Sequence, residues 1–181
     1  LMPVFEAMHL EEMQGALTRL GADLPSSTIS AFRPSTALKK YTPAAASWLT
    51  RCGLDPTAQG LLMTNGNTSA MTIALMTVAG SGDLIVTEEL AHHTLKALSR
   101  YLGVRIQGLE IDAQGVIPAA FEAACKKSQV KGIYLMPSGL NPRAATMSAA
   151  RRAELVEIAR RHDVLIIEND AWGPLQPGRP D

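Results

Sequence analysis

Between residues 60 and 168 short apolar runs alternate with stretches of helical spacing, and that alternation leaves few architectures open. Apolar runs of strand length fall at 60–64, 84–87, 104–109, 132–136 and 164–168; helical spacing falls at 67–78, 91–101, 118–127 and 148–161, the last capped by Ser148. Strands and helices in strict succession predict a doubly wound α/β layer, with helices on both faces of a largely parallel or mixed sheet. Ahead of it, residues 5–20 set Met8, Met13, Ala16, Leu17 and Leu20 mostly at helical spacing, and Gly21 follows as a stop. Residues 21–42, with Pro25 and Pro34 and no clear period, read as an irregular connection. Pro43 then opens a helix that runs to Arg51 before Gly53.

Ligands of such sheets bind at the carboxyl ends of the strands, where loops lead into helices. Function is therefore expected in residues 64–70, 88–93, 137–144 and 169–172. In the first of these, Thr64-Asn65-Gly66-Asn67-Thr68-Ser69-Ala70, Gly66 permits a tight turn and a helix opens on small polar residues. Unpaired amides at a helix start favour an anion or phosphate; plain N-capping by Asn67 or Thr68 is the structural alternative. His92 and His93 open the helix after the second run, where one ring can face the crevice or cap the helix. In Glu168-Asn169-Asp170-Ala171-Trp172, alternation along a strand sends Asn169 and Asp170 to opposite faces, so one of them is expected in the site.

Two motifs fail on context. Gly80-Ser81-Gly82-Asp83 follows a helix and precedes a strand, the reverse of a dinucleotide fingerprint, and reads as a turn. Pro137-Ser138-Gly139 lacks the flanking glycines of a nucleophile elbow. Arg151, Arg152, Arg160, Arg161 and His162 share a helix with Glu154 and Glu157, and pairs such as Glu157 with Arg161 at four-residue spacing predict a solvated face.

Composition narrows the classes further. The 181 residues carry 17 Lys plus Arg against 17 Asp plus Glu, so no basic surplus points to nucleic acid. Cys52 and Cys125 stand apart, without metal-ligand spacing or a disulfide framework, and read as two unpaired thiols of a reducing cytoplasm. No apolar run approaches the ~20 residues that span a bilayer, and residues 1–21 have no signal-peptide pattern. A soluble cytoplasmic protein without a membrane partner is expected.

In order, these loops resemble the large domain of class I/II, fold-type-I aminotransferases, and within them the aminotransferase-like domain of MocR/GntR-type regulators. The resemblance rests on Tyr134-Leu135-Met136-Pro137-Ser138-Gly139-Leu140-Asn141-Pro142, on Thr146-Met147-Ser148-Ala149-Ala150-Arg151-Arg152 and on Ile166-Ile167-Glu168-Asn169-Asp170, and extends over residues 42–175. It implies a three-layer αβα large domain with a mainly parallel mixed sheet, here incomplete. Residues 1–42 would be an N-terminal helix and connection, and 43–181 a partial domain for pyridoxal 5'-phosphate.

That cofactor is an electron sink whose phosphate must be anchored, whose ring must be oriented, and whose ring nitrogen is kept protonated by an acid. The resemblance places Gly66, Asn67 and Thr68 at the phosphate and His92 where an aromatic side chain stacks on the ring. Asn141 falls at the phenolic oxygen, Trp172 at or beside a tyrosine that assists there, and Asn169 where the family pairs an aspartate with the ring nitrogen. An uncharged amide holds a pyridinium less well than a carboxylate, which weakens the sink. Leu90-Ala91-His92 stands for the usual Pro-Thr-Tyr, and Asn141-Pro142-Arg143-Ala144 for Asn-Pro-Thr-Gly. The Schiff-base lysine and small domain of the family would lie beyond Asp181, so this chain is expected to be inactive alone and to be the core of a longer polypeptide. The resemblance further implies an amino acid or amine ligand, a homodimer, and contact with DNA only through a domain outside this chain. It leaves three roles open: the sensor of a regulator, a free-standing aminotransferase, and a non-catalytic dimerisation module.

Overall fold

The computed structural model describes residues 6–24, 26, 35–57, 60–139 and 143–173, with side chains of the second helix described from Tyr41 onward. The chain divides into two compact units, 1–63 and 64–181.

The first unit contributes α1 (Ala7–Ala22) and α2 (Ser35–Arg51). The apolar stripe predicted for α1 is present, but Met13 and Leu17 are each 59% exposed and no residue of the helix is buried. Helix α2 differs from expectation. It begins at Ser35 and carries Pro43 in its interior, so a proline read as the first helical residue sits instead where it removes one backbone hydrogen bond. The helix ends as predicted near Gly53, whose φ of +77° is the left-handed conformation that suits glycine.

The second unit runs α3 (Gly66–Val78), β1 (Leu84–Glu88), α4 (His93–Leu102), β2 (Arg105–Leu109), β3 (Ile111–Asp112), β4 (Gly115–Val116), α5 (Pro118–Lys127), β5 (Val130–Leu135), α6 (Ala149–Arg161) and β6 (Leu165–Glu168). Strands order as β2-β1-β5-β6, all parallel, and β3 and β4 form a separate antiparallel hairpin. From β1 the chain moves outward to β2, crosses to β5 and continues to β6. Right-handed crossovers therefore put α4 on one face and α5 with α6 on the other, an α/β fold with helices on both sides of its sheet. Contacts agree, since α3 packs with α4 and α5 with α6.

Strand β1 is buried at every position, as a central parallel strand should be, and with it Leu75, Phe121, Ile133 and Leu155 build the core. Gly132 makes the close approach of α3 possible: a Cβ there would lie 2.7 Å from Val78 Cγ1 and 2.9 Å from Ile85 Cδ1.

Several sequence expectations end differently. Residues 60–64 pair with no strand of the described residues, and Leu62 is exposed. The run at 164–168 forms β6 but lies at the sheet edge, which leaves Leu165 57% exposed. Residues 80–83 are a turn, as read, closed by the Gly80 amide donating to Asp83 Oδ2 at 2.9 Å. Cys52 and Cys125 are both free and half-buried. No helix of the described residues is long and apolar enough to cross a membrane.

The basic helix α6 is only partly a solvated face. Arg151 turns inward, reaches Asp112 with both terminal nitrogens at 2.8 and 3.1 Å, and donates to the Val116 carbonyl at 2.8 Å, which ties the hairpin to the helix. Arg152 approaches Glu168 at 3.5 Å and Ser138 Oγ at 3.4 Å. Glu157 pairs with Arg160 instead of Arg161, and Arg161 is taken by Glu122 on the neighbouring helix at 2.7 Å.

Candidate functional site

The direction of the chain reverses between β1, which leads outward to β2, and β5, which leads to β6, so a switch point lies at the carboxyl ends of β1 and β5. Buried polar side chains gather there: Thr87, Glu88, Ser138 and Asn169 are all within 9% exposure. Register brings Thr87 beside Tyr134 across the β1–β5 ladder.

Glu88 Oε1 accepts the Met136 amide at 2.8 Å, directly across the switch point, and Thr87 Oγ1 donates to Oε2 at 3.3 Å. Burial pushes this carboxyl above its ordinary value, against the opposing pull of those hydrogen bonds. Tyr134 is fully buried, and burial moves its phenol up to about 12, so it is neutral at any physiological pH. Its oxygen accepts from Asn169 Nδ2 at 2.7 Å.

Asn169 then connects the end of β6 to the start of α3. Its Oδ1 accepts from Asn67 Nδ2 at 3.3 Å and from the Ala171 amide at 3.4 Å, while its own amide is held by the Leu135 carbonyl at 2.8 Å. Two residues 102 positions apart in sequence are thus joined at one point.

Residues 65–68 at the start of α3 are exposed. Asn65 occupies the N-cap without any side-chain cap bond, so the capping alternative for Asn67 and Thr68 is not what the helix uses. Gly66 sits at φ +80°, and its amide turns back to the Thr64 carbonyl at 3.0 Å. The hydroxyls of Ser69 and Thr72 donate backward to the Asn65 and Thr68 carbonyls instead of capping. A helix start without a cap forgoes about 1 kcal/mol, and an anion placed there recovers a similar amount through the amides and the helix dipole.

The other residues singled out by sequence lie near these loops with different surroundings. His92 caps α4: its Nδ1 lies 2.7 Å from Thr94 Oγ1 and 3.4 Å from the Thr94 amide, and its ring stacks on His93 at 4.5 Å. Burial, then the neighbouring His93, lowers its pKa, so the ring is neutral at pH 7. Trp172 follows β6 in a turn and is 39% exposed. Asn141 lies outside the described residues. Ser138 is fully buried against Arg152, in keeping with its rejection as a nucleophile. Glu88 lies in the expected segment 88–93 and Tyr134 in the stretch that carries the resemblance, but the sequence assigns neither a role. Their only signal is a polar group at the end of an apolar strand.

With this geometry in place, comparisons with known proteins define the class. The chain matches the family model for aminotransferase class I and II over residues 10–181. It belongs to that family. Aminotransferase swnA of Metarhizium robertsii is 32% identical over 85% of this chain, and the HTH-type transcriptional regulator YjiR of Escherichia coli is 32% identical over 68%. The chain spans 30% and 27% of those relatives' own lengths. Among solved structures, an archaeal alanine:glyoxylate aminotransferase superposes with a TM-score of 0.75 at 28% identity, over 83% of this chain and 38% of that one.

Proposed function

We propose that this chain is the pyridoxal-phosphate-binding, effector-sensing part of a MocR/GntR-type transcriptional regulator, assembled as a homodimer in the cytoplasm. The observation that carries the cofactor reading is the Asn67–Asn169 bond, which joins the uncapped first turn of α3 to the end of β6. The residues present fit the group. Gly66, Asn67 and Thr68 offer a neutral, amide-rich helix start for a phosphate, and Asn169 stands beside it for the ring. His92 would lie against the ring, with Trp172 and Asn141 completing the contacts to its oxygen. When bound, pyridoxal phosphate supplies an electron sink for the ligand's amino-bearing carbon. The sensor role is supported by the neutral amide of Asn169, which provides no negative charge to strengthen that sink, and by the similarity to YjiR.

A free-standing aminotransferase acting on an amino acid and a 2-oxo acid is the second reading, supported by the likeness to swnA. Adding pyridoxal phosphate to the protein and recording its absorbance tests cofactor binding. A bound-cofactor band that is weakened by Asn67→Ala combined with Thr68→Ala is expected; a spectrum identical to free cofactor sinks both readings. The coding sequence ahead of Leu1 separates them, since a winged helix-turn-helix there means a regulator.

A further inference from the structure

The hydrogen bonds of Asn169 fix which end of its amide faces which partner. A backbone N–H can only donate, so the atom 3.4 Å from the Ala171 amide must be the oxygen. The same oxygen takes the Asn67 donor, which uses both of its acceptor sites. The nitrogen end therefore faces Tyr134, whose neutral hydroxyl accepts one of its two protons at 2.7 Å. One N–H of Asn169 remains without a partner among the described residues. The residue is only 9% exposed, so an N–H held there gains from any acceptor that a ligand brings.

We propose that Asn169 meets the ligand of this site as a hydrogen-bond donor, with Tyr134 as the positioning residue that holds its nitrogen end in place, so that the ring nitrogen of bound pyridoxal phosphate stays unprotonated. This rests on the cofactor reading given above. The physical argument is one of matching. A protonated ring nitrogen would point its N–H at another N–H across a buried contact, whereas an unprotonated one presents a lone pair to it. An amide N–H does not give up its proton near neutrality, so the contact stays a hydrogen bond and creates no charge. The side chains bonded to Asn169 are also uncharged: Asn67 is an amide and Tyr134 a neutral phenol. Of the two carboxylates that flank Asn169 in the chain, Glu168 lies 3.5 Å from Arg152, and Asp170 is the one that could compete for the ring.

The test is the 15N resonance of pyridoxal phosphate labelled at its ring nitrogen and bound to the protein. The expected result is a resonance at the unprotonated pyridine position throughout the neutral range, displaced far upfield to the pyridinium position in Asn169→Asp. In Tyr134→Phe the amide loses the acceptor that holds its nitrogen end; the resonance should broaden, and the cofactor should dissociate about tenfold more readily, the equivalent of one buried hydrogen bond. A Tyr134→Phe variant that melts earlier but keeps both the line shape and the affinity overturns the positioning role. A protonated ring nitrogen in the unmodified protein overturns the proposal while leaving cofactor binding intact, and its loss in Asp170→Asn would transfer the contact to Asp170. Absence of any bound cofactor overturns this inference and the proposed function together. The unmodified protein supplies the decisive reading, so the conclusion does not depend on every variant folding.

Discussion

The two ends of the same sheet are built from different materials. At their amino ends β1 and β5 bury Leu84, Ile85, Val130 and Ile133 against Phe121, Leu75 and Leu155, with no ionisable group among them. Towards the carboxyl ends, the same two strands and the exits of β5 and β6 bury Thr87, Glu88, Tyr134, Ser138 and Asn169. An apolar filling costs nothing in desolvation, so the amino end carries stability. At the carboxyl end every buried polar group must be paired, and the pairing among Glu88, Met136, Tyr134, Asn169 and Asn67 gives back little more than it costs. A fold keeps such an arrangement where geometry is worth more than stability, which is the physical reason to look there for function.

The largest effect that can break this comparison is Phe121→Ala. The ring is fully buried in the apolar half, and its loss leaves a cavity that should cost about 3–5 kcal/mol in urea unfolding. Asn67→Ala, at the polar end, should cost under about 1.5 kcal/mol. If the two prove equal, the division of labour between the two ends is wrong.

A smaller effect separates the ends by pH. The folded chain holds a proton on Glu88 more tightly than the unfolded chain, because burial raises this carboxyl above the ordinary value of 4.5. That contribution to stability is complete below pH 4.5 and is lost as pH rises from there towards the folded value. Glu88→Gln keeps an oxygen for the Met136 amide and removes the titration. Its stability relative to the unmodified protein should therefore increase with pH above 4.5, read as the difference between urea midpoints. Parallel profiles would mean that Glu88 does not carry its proton into the folded state.

Much of the frame was legible in sequence because its signals are local. Pro118 sets the first turn of α5, Ser148 caps α6 by accepting the Arg151 amide at 3.3 Å, and the apolar runs at 84–87, 104–109 and 132–136 are strands within two residues of expectation. The hairpin of β3 and β4 escaped notice because two-residue strands carry no period. Its signal is the turn itself, where the Gln114 amide donates to Asp112 Oδ1 at 2.7 Å and Gly115 takes φ +93°. The partner of Arg161 was misread because Glu157 lies four residues away on the chain, whereas Glu122 lies beside it only after α5 and α6 pack. At the site, Asn67 and Asn169 could be named from the family pattern, but their mutual bond could not. Glu88 opens the expected segment 88–93 and Tyr134 the stretch that carries the resemblance, but neither gains a role from sequence, because a polar atom at the end of an apolar strand becomes significant only once register sets its neighbours.

The smallest effect tests the frame in the acid direction. Glu122 is held by Arg161 at 2.7 Å, His162 at 3.1 Å and Lys126 at 3.2 Å, and these partners pull its carboxyl down to about 2. The sign is opposite to that of Glu88. The folded state favours the ionised form, so the contribution is complete above the ordinary value of 4.5 and disappears as pH falls from there towards about 2. Arg161 and Lys126 are well exposed, so water and salt screen the group, and the effect should be smaller than the one at Glu88. Glu122→Gln should flatten the acid limb of the stability profile without changing its slope above pH 5, and raising ionic strength should erase most of the difference from the unmodified protein. A loss of stability in the variant that is independent of both pH and salt would make Glu122 a packing residue and leave the ion cluster without energetic consequence.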